Sequence, residues 1–159
     1  MHTDASTILL EVEAIKKLKY VYLRAVDCHD WELLESTLTE DCVARYDGGK
    51  YSFDGRRALV DGLRQHMDSA QVLTMHNCHH PEIELLDNDA ATGTWYLQDL
   101  VFNREQNWML FGTAIYQDHY RLEHGDWKIC RTEYSRIMET INAPIPETLN
   151  FTHNMFANQ

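Results

Sequence analysis

The sequence predicts an α+β domain in which three N-terminal helices pack against a strongly curved, mostly antiparallel sheet. Apolar residues recur every three or four positions only as far as Met67, the spacing of helices with one buried face. From Val72 onward the chain reads as four long strand-like stretches divided by polar connections of hairpin length. Helices first and strands after is the order of an α+β domain rather than of alternating βαβ units. At 159 residues and 44% hydrophobic content the chain suits one domain around one core, placed at residues 1–142, with residues 143–159 as a tail.

The first helix is expected over residues 7–27. Ile8, Val12, Ile15, Leu18, Tyr22 and Val26 form its apolar stripe, and Glu11, Glu13, Lys16, Lys17 and Lys19 fall largely between them. Its last turn carries Tyr20, Tyr22, Arg24 and Asp27, a polar end for a face that must meet a core. Asp30 can accept the free amides of a shorter second helix through Trp31, Leu33, Leu34 and Leu38. Residues 42–46 and 51–53 then read as short strands around Asp47-Gly48-Gly49, where glycine supplies the positive φ of a tight hairpin. Gly55 opens a third helix with Ala58, Leu59, Leu63 and Met67 inward. Strands at 72–84, 91–103, 108–123 and 127–138 follow, joined by Asp87-Asn88-Asp89, Arg104-Glu105-Gln106-Asn107 and His124-Gly125-Asp126. Asn77 and Pro81 suggest that the first of these strands leaves the sheet early. The tail holds Leu149, Phe151, Met155 and Phe156, too many apolar groups to stay solvated, so it is expected to dock on a neighbouring subunit or over the mouth of a cavity.

Charge narrows the class of partner. With 25 acidic against 14 basic residues the net charge is −11, which repels nucleic acid and anionic membrane surfaces, and the nine histidines offset this only below neutral pH. Cys28, Cys42, Cys78 and Cys130 show no CxxC spacing and no disulfide framework. Ile8-Leu9-Leu10 is the only continuous apolar run near the N-terminus, too short for a signal peptide or a spanning helix. A cytoplasmic protein acting on a small molecule is expected.

Candidate functional residues are polar groups on faces that ought to be apolar. In the stretch from Asp89 to Val101, alternation puts Asp99 on one face with Gly93, Trp95, Leu97 and Val101. A lone carboxylate there is costly unless it is hydrogen-bonded, paired or functional. His76 shares a face with Val72 and Thr74, and Arg136 shares one with Thr132 and Tyr134. Each alone has an ordinary structural reading, since buried polar groups are usually satisfied by neighbours. His76, Cys78, His79 and His80 also crowd five positions, and two imidazoles with a thiolate are acceptable zinc ligands; the minor reading is therefore a metal site, the major one no metal.

Taken together these residues resemble a known family. Residues 13–18, then Tyr22, Arg24, Asp27 and Trp31-Glu32-Leu33, followed by Met75-His76, Pro81-Glu82-Ile83, Trp95-Tyr96-Leu97, Asp99, Tyr116, Tyr120 and Gly125-x-Trp127, look like SnoaL-like proteins. That family has the cone-shaped fold of nuclear transport factor 2. Within it the pattern is most similar to bile acid 7α-dehydratase, and more distantly to scytalone dehydratase and hexachlorocyclohexane dehydrochlorinase. The resemblance implies a cone-shaped α+β barrel and a shielded active-site cup in which Tyr22, Asp27, His76, Asp99 and Arg136 are catalytic, without a cofactor. It also implies a homotrimer packed through open sheet faces, for which Tyr96, Leu100, Phe111 and Ile115 are candidates, ordinary core being the other reading of the same four residues. Gln98, the 104–108 hairpin and the tail from Ala143 depart from the family pattern, which leaves the substrate open.

Those residue types suit elimination of water from a β-hydroxy carbonyl compound. A histidine oriented by a carboxylate can take the acidic proton, and a buried phenol can donate to the enolate oxygen as charge develops. Tyr46, Trp95 and Tyr116 would bind a hydrophobic ring. Dehydrohalogenation and isomerisation begin with the same step. The competing reading is a small-molecule-binding protein without chemistry, because one fold serves many functions.

Overall fold

The computed structural model describes residues 4–87 and 89–157. Its elements are α1 (Ala5–Asp27), α2 (Trp31–Ser36), β1 (Leu38–Tyr46), β2 (Tyr51–Asp54), α3 (Arg56–Met67), β3 (Val72–Leu85), β4 (Ala90–Asn103), β5 (Trp108–Glu123) and β6 (Asp126–Asn142). The strands form one sheet in the order β2-β1-β6-β5-β4-β3. All neighbours are antiparallel except β1 and β6, which run parallel through Val43↔Arg131 and Ala44↔Thr132. Three helices against a curved, mixed and mostly antiparallel sheet is the predicted architecture.

Several boundaries differ from the sequence expectation. Asp30 does cap α2, accepting the Leu33 amide at 3.0 Å, but the helix stops at Ser36. Leu38 instead begins β1, because the Ile129 amide donates to the Thr37 carbonyl at 2.9 Å and draws the chain into the sheet. In α3 the buried positions are Leu59, Val60 and Leu63, while Ala58 faces out. Strand β3 does not leave the sheet at Asn77 or Pro81. It absorbs His80, at φ 50°, in a register shift between His79 and Glu82 and continues to Leu85. As an edge strand it has one side without a ladder, where proline is tolerated. Asp87 and Asp89 of the following turn are in place, and Asn88 lies outside the described residues.

The core lies between the helices and the concave face of the sheet. In β4 the odd-numbered Ala91, Gly93, Trp95, Leu97 and Asp99 are buried and Tyr96 is exposed, as two-residue alternation requires. Ile15, Tyr22, Leu34, Leu59 and Ile129 close around them. One member of this core is charged. Lys19 is fully buried, its Nζ 2.7 Å from the equally buried Asp118 Oδ2 and 3.5 Å from the Tyr116 ring centroid. The expectation that Lys19 lies between core positions is therefore corrected.

The tail packs on its own chain. Phe156 is buried and stacks on His29 at 4.1 Å, and Phe151 meets Phe102 edge-on at 4.8 Å. Asn154 donates to the Ala70 carbonyl at 2.7 Å, and Asn107 Oδ1 accepts the Ile145 amide at 3.1 Å.

Candidate active site

Asp27 is the last residue of α1, where the helix dipole disfavours a carboxylate. Three donors offset that cost. His76 Nδ1 lies 2.6 Å from Oδ1, the His76 amide donates to Oδ2 at 2.9 Å, and the Thr74 hydroxyl donates to Oδ1 at 2.7 Å. Burial alone would raise the Asp27 carboxyl; the hydrogen bonds and charge of His76, with Thr74, outweigh it and hold it below its ordinary range. An ionised carboxylate only accepts, so Nδ1 carries the proton in the neutral ring and Nε2 is left with a lone pair. The side chains of His76 and Asp27 keep 11% and 22% of their exposure. They border an open cleft of about 280 Å³ lined also by Tyr20, Leu23, Arg24 and Cys78, so on this side the pair is shielded rather than sealed. Burial pushes the Cys78 thiol up to about 11, so it stays protonated.

Strand register carries the polar row onward. His76 is the direct cross-strand partner of Asp99, which places both on one face. Asp99 is buried and held by Arg136 through two parallel bonds, Nη1–Oδ1 at 2.6 Å and Nη2–Oδ2 at 2.8 Å. The residue opposite Asp99 on β5 is Gly112, and a Cβ there would crowd Arg136 Nη1 and stand 2.8 Å from Asp99 Oδ1. Any larger residue there would force the clamp to shift.

From Arg136 the contacts return to α1 through aromatic rings. The guanidinium sits 5.0 Å from the Tyr134 ring, which stacks on Tyr46 at 5.3 Å and meets Tyr116 edge-on at 5.2 Å. Tyr46 and Tyr22 share a short hydroxyl–hydroxyl bond. Burial pushes the phenols of Tyr22 and Tyr46 well above their ordinary range, so both remain protonated. One of their two protons is used in the mutual bond and the other is free for a further acceptor. Asp27, His76, Asp99, Arg136, Tyr46 and Tyr22 thus lie on one circuit that starts and ends on α1, closed by Tyr134.

The residues expected to bind a ring are all buried. Tyr46 belongs to the circuit and Tyr116 borders it, both buried, and Trp95 is fully buried with its Nε1–H donated to Tyr120 at 2.8 Å. Tyr120 in turn donates to Asp118 at 3.0 Å, so Trp95, Tyr120, Asp118 and Lys19 form a second polar chain beneath the circuit. Sequence reading missed Tyr134 as a circuit member and the Lys19–Asp118 pair. Their signals were present: Lys19 lies four residues after Ile15 and three before Tyr22 on the buried stripe, and Asp118 shares strand parity with Tyr116 and Tyr120. His79 and His80 are exposed, and among the described residues no three His, Cys, Asp or Glu side chains gather as a metal-binding group.

Three helices capping one strongly curved sheet give the cone-shaped α+β fold of nuclear transport factor 2. The model of the SnoaL-like domain matches residues 7–133, and the chain belongs to that family. Among solved structures it is similar to a candidate scytalone dehydratase of Novosphingobium aromaticivorans, with 22% identity, a TM-score of 0.79 and coverage of 86% of this chain and 91% of that one. Hexachlorocyclohexane dehydrochlorinase LinA-type3 of Novosphingobium barchaimii is similar at 21% identity and TM-score 0.75, covering 86% and 93%. ActVI-ORFA of Streptomyces coelicolor follows at 16% identity and TM-score 0.68, covering 79% and 96%. No described helix is long and apolar enough to cross a membrane.

Proposed function

We propose that the protein is a cofactor-independent lyase of the dehydratase type, acting on a hydrophobic ring substrate by removing the proton beside a carbonyl group. The observation that carries this reading is the 2.6 Å bond between His76 Nδ1 and Asp27 Oδ1, which leaves Nε2 as a base. In this scheme Nε2 takes the carbon-bound proton, Asp27 stabilises the imidazolium that forms, and the electron pair moves to the carbonyl oxygen as an enolate. The free proton of the Tyr22–Tyr46 pair stabilises that oxygen, and the Asp99–Arg136 clamp fixes the charge of the wall beside it. Collapse of the enolate expels hydroxide from the β-carbon, which leaves as water with the proton returned by the imidazolium. A protein that only bound rings would gain nothing from orienting an imidazole this way.

Names of the similar structures support the class, since a dehydratase candidate and a dehydrochlorinase both describe elimination. Halide loss or isomerisation would use the same first step. The functional form we propose is a homotrimer in the cytoplasm, with Tyr96, Leu100, Phe111 and Ile115 on the outer face of the sheet at the contacts. The test is a panel of β-hydroxy ketones on fused rings, followed by enone absorbance. Wild-type protein is expected to turn over at least one member, and His76→Ala to lose about 10²–10⁴-fold in rate with its circular dichroism unchanged. Full activity in His76→Ala contradicts the assignment.

A further inference from the structure

We infer that the cleft bordered by His76 and Asp27 selects ring substrates carrying an acidic group, and that Arg24 is the residue that recognises it. This rests on the reading of His76 as the catalytic base, with the cleft as the side from which a substrate reaches it. Arg24 lies in the last turn of α1, three residues before Asp27, and lines the same cleft of about 280 Å³ as Asp27, His76, Leu23 and Tyr20. Among the described residues its guanidinium has no carboxylate partner, unlike those of most arginines in the chain. The sequence has nine arginines, and seven of them stand within 4.0 Å of a carboxylate oxygen, which leaves nine minus seven, or two. Of these two, Arg104 lies over the Phe151 ring, whereas Arg24 has no carboxylate partner among the described residues.

The neighbouring groups sharpen the point. Among the described residues Asp27 is the one carboxylate lining the cleft, and its oxygens accept from His76 and Thr74. The chain as a whole carries a net charge of −11, which disfavours anions in general. A free guanidinium beside an imidazole base therefore marks one place where an anion is welcome, and its planar fork suits a carboxylate, sulfonate or phosphate. With the acidic group on Arg24, the ring of the substrate would lie over Leu23 and Tyr20 toward His76. The competing role, complementing the helix dipole, needs only positive charge and no ligand.

Two fluorescent probes separate these roles: 8-anilino-1-naphthalenesulfonate, and N-phenyl-1-naphthylamine, which has the same ring system without the sulfonate. Wild-type protein is expected to bind the sulfonate probe about tenfold more tightly than the neutral one, the worth of one charge-assisted hydrogen bond. Arg24→Gln should erase the preference, Arg24→Lys should keep most of it, and Cys78→Trp, which fills the cleft, should weaken both probes. A preference that survives in Arg24→Gln, or a sulfonate probe bound equally well by a folded Cys78→Trp, overturns the inference. Neither measurement needs turnover, so a failure of the lyase reading in His76→Ala would be seen separately.

Discussion

At the scale of single residues the account depends on how one carboxylate is held. Asp27 was legible in the sequence as a polar residue ending an amphipathic helix, and its pairing with His76 followed from the family pattern rather than from spacing. Spacing could not show that the Thr74 hydroxyl and the His76 amide also converge on it, because that requires β3 to pass the end of α1. The linkage has a definite sign. The carboxyl is held below its ordinary value of 3.8, so the folded state binds protons there less readily than the unfolded chain does. The stabilisation is fully present above the unfolded value and is lost as pH falls through the folded one. Urea midpoints measured from pH 6 downward should fall more steeply for wild type than for Asp27→Asn, the difference opening below about pH 4. Parallel curves would mean that Asp27 titrates alike in both states.

At the scale of elements, α1 is the piece that organises the molecule. One stripe presents Lys19 and Tyr22 to the core, while the side carrying Tyr20, Leu23, Arg24 and Asp27 borders the cleft with β3. Helical periodicity made the stripe visible and yet misassigned Lys19, because hydropathy treats a lysine as solvated whatever its phase. The buried Lys19–Asp118 pair makes the cost of a break large. Removing one partner leaves the other charge buried without a counterion, so Lys19→Met should destabilise the protein by about 3–5 kcal/mol. Joint replacement with Asp118→Leu should recover most of that loss, which denaturant unfolding of the single and double variants can check. A single variant as stable as wild type would show the pair to be solvated. The strand boundaries erred for a related reason: Leu38 and Asn142 join the sheet through pairings far away in sequence, the parallel contact of β1 with β6 and the register of Asn142 with Met109.

At the scale of the whole molecule, the sheet has one covered face and one bare one. Alternation that buries Trp95, Leu97 and Asp99 necessarily turns Tyr96 and Leu100 outward, and the cross-strand register sets Ile115 beside Tyr96 and Phe111 beside Leu100. Met75, Tyr96 and Met138 are exposed to 43%, 40% and 47%, and a contiguous apolar face of this kind is rare on a protein that works alone. The fold class and the alternation of β4 were readable in the sequence, whereas the outward facing of Phe111 and Ile115 needed the register with β4 and the number of copies is not encoded in periodicity. Light scattering after gel filtration should give three times the chain mass for wild type and one chain mass for Tyr96→Glu. A monomeric wild type would contradict the trimer.

The central claim is that His76, oriented by Asp27, takes a proton from carbon beside a carbonyl group. The most direct measurement is solvent deuterium incorporation at that carbon, followed by NMR in D₂O with ring ketones that lack a leaving group. Wild-type protein is predicted to catalyse the exchange, His76→Ala to abolish it and Asp27→Asn to slow it by about 10²-fold or more. Exchange at the wild-type rate in both variants would contradict the account.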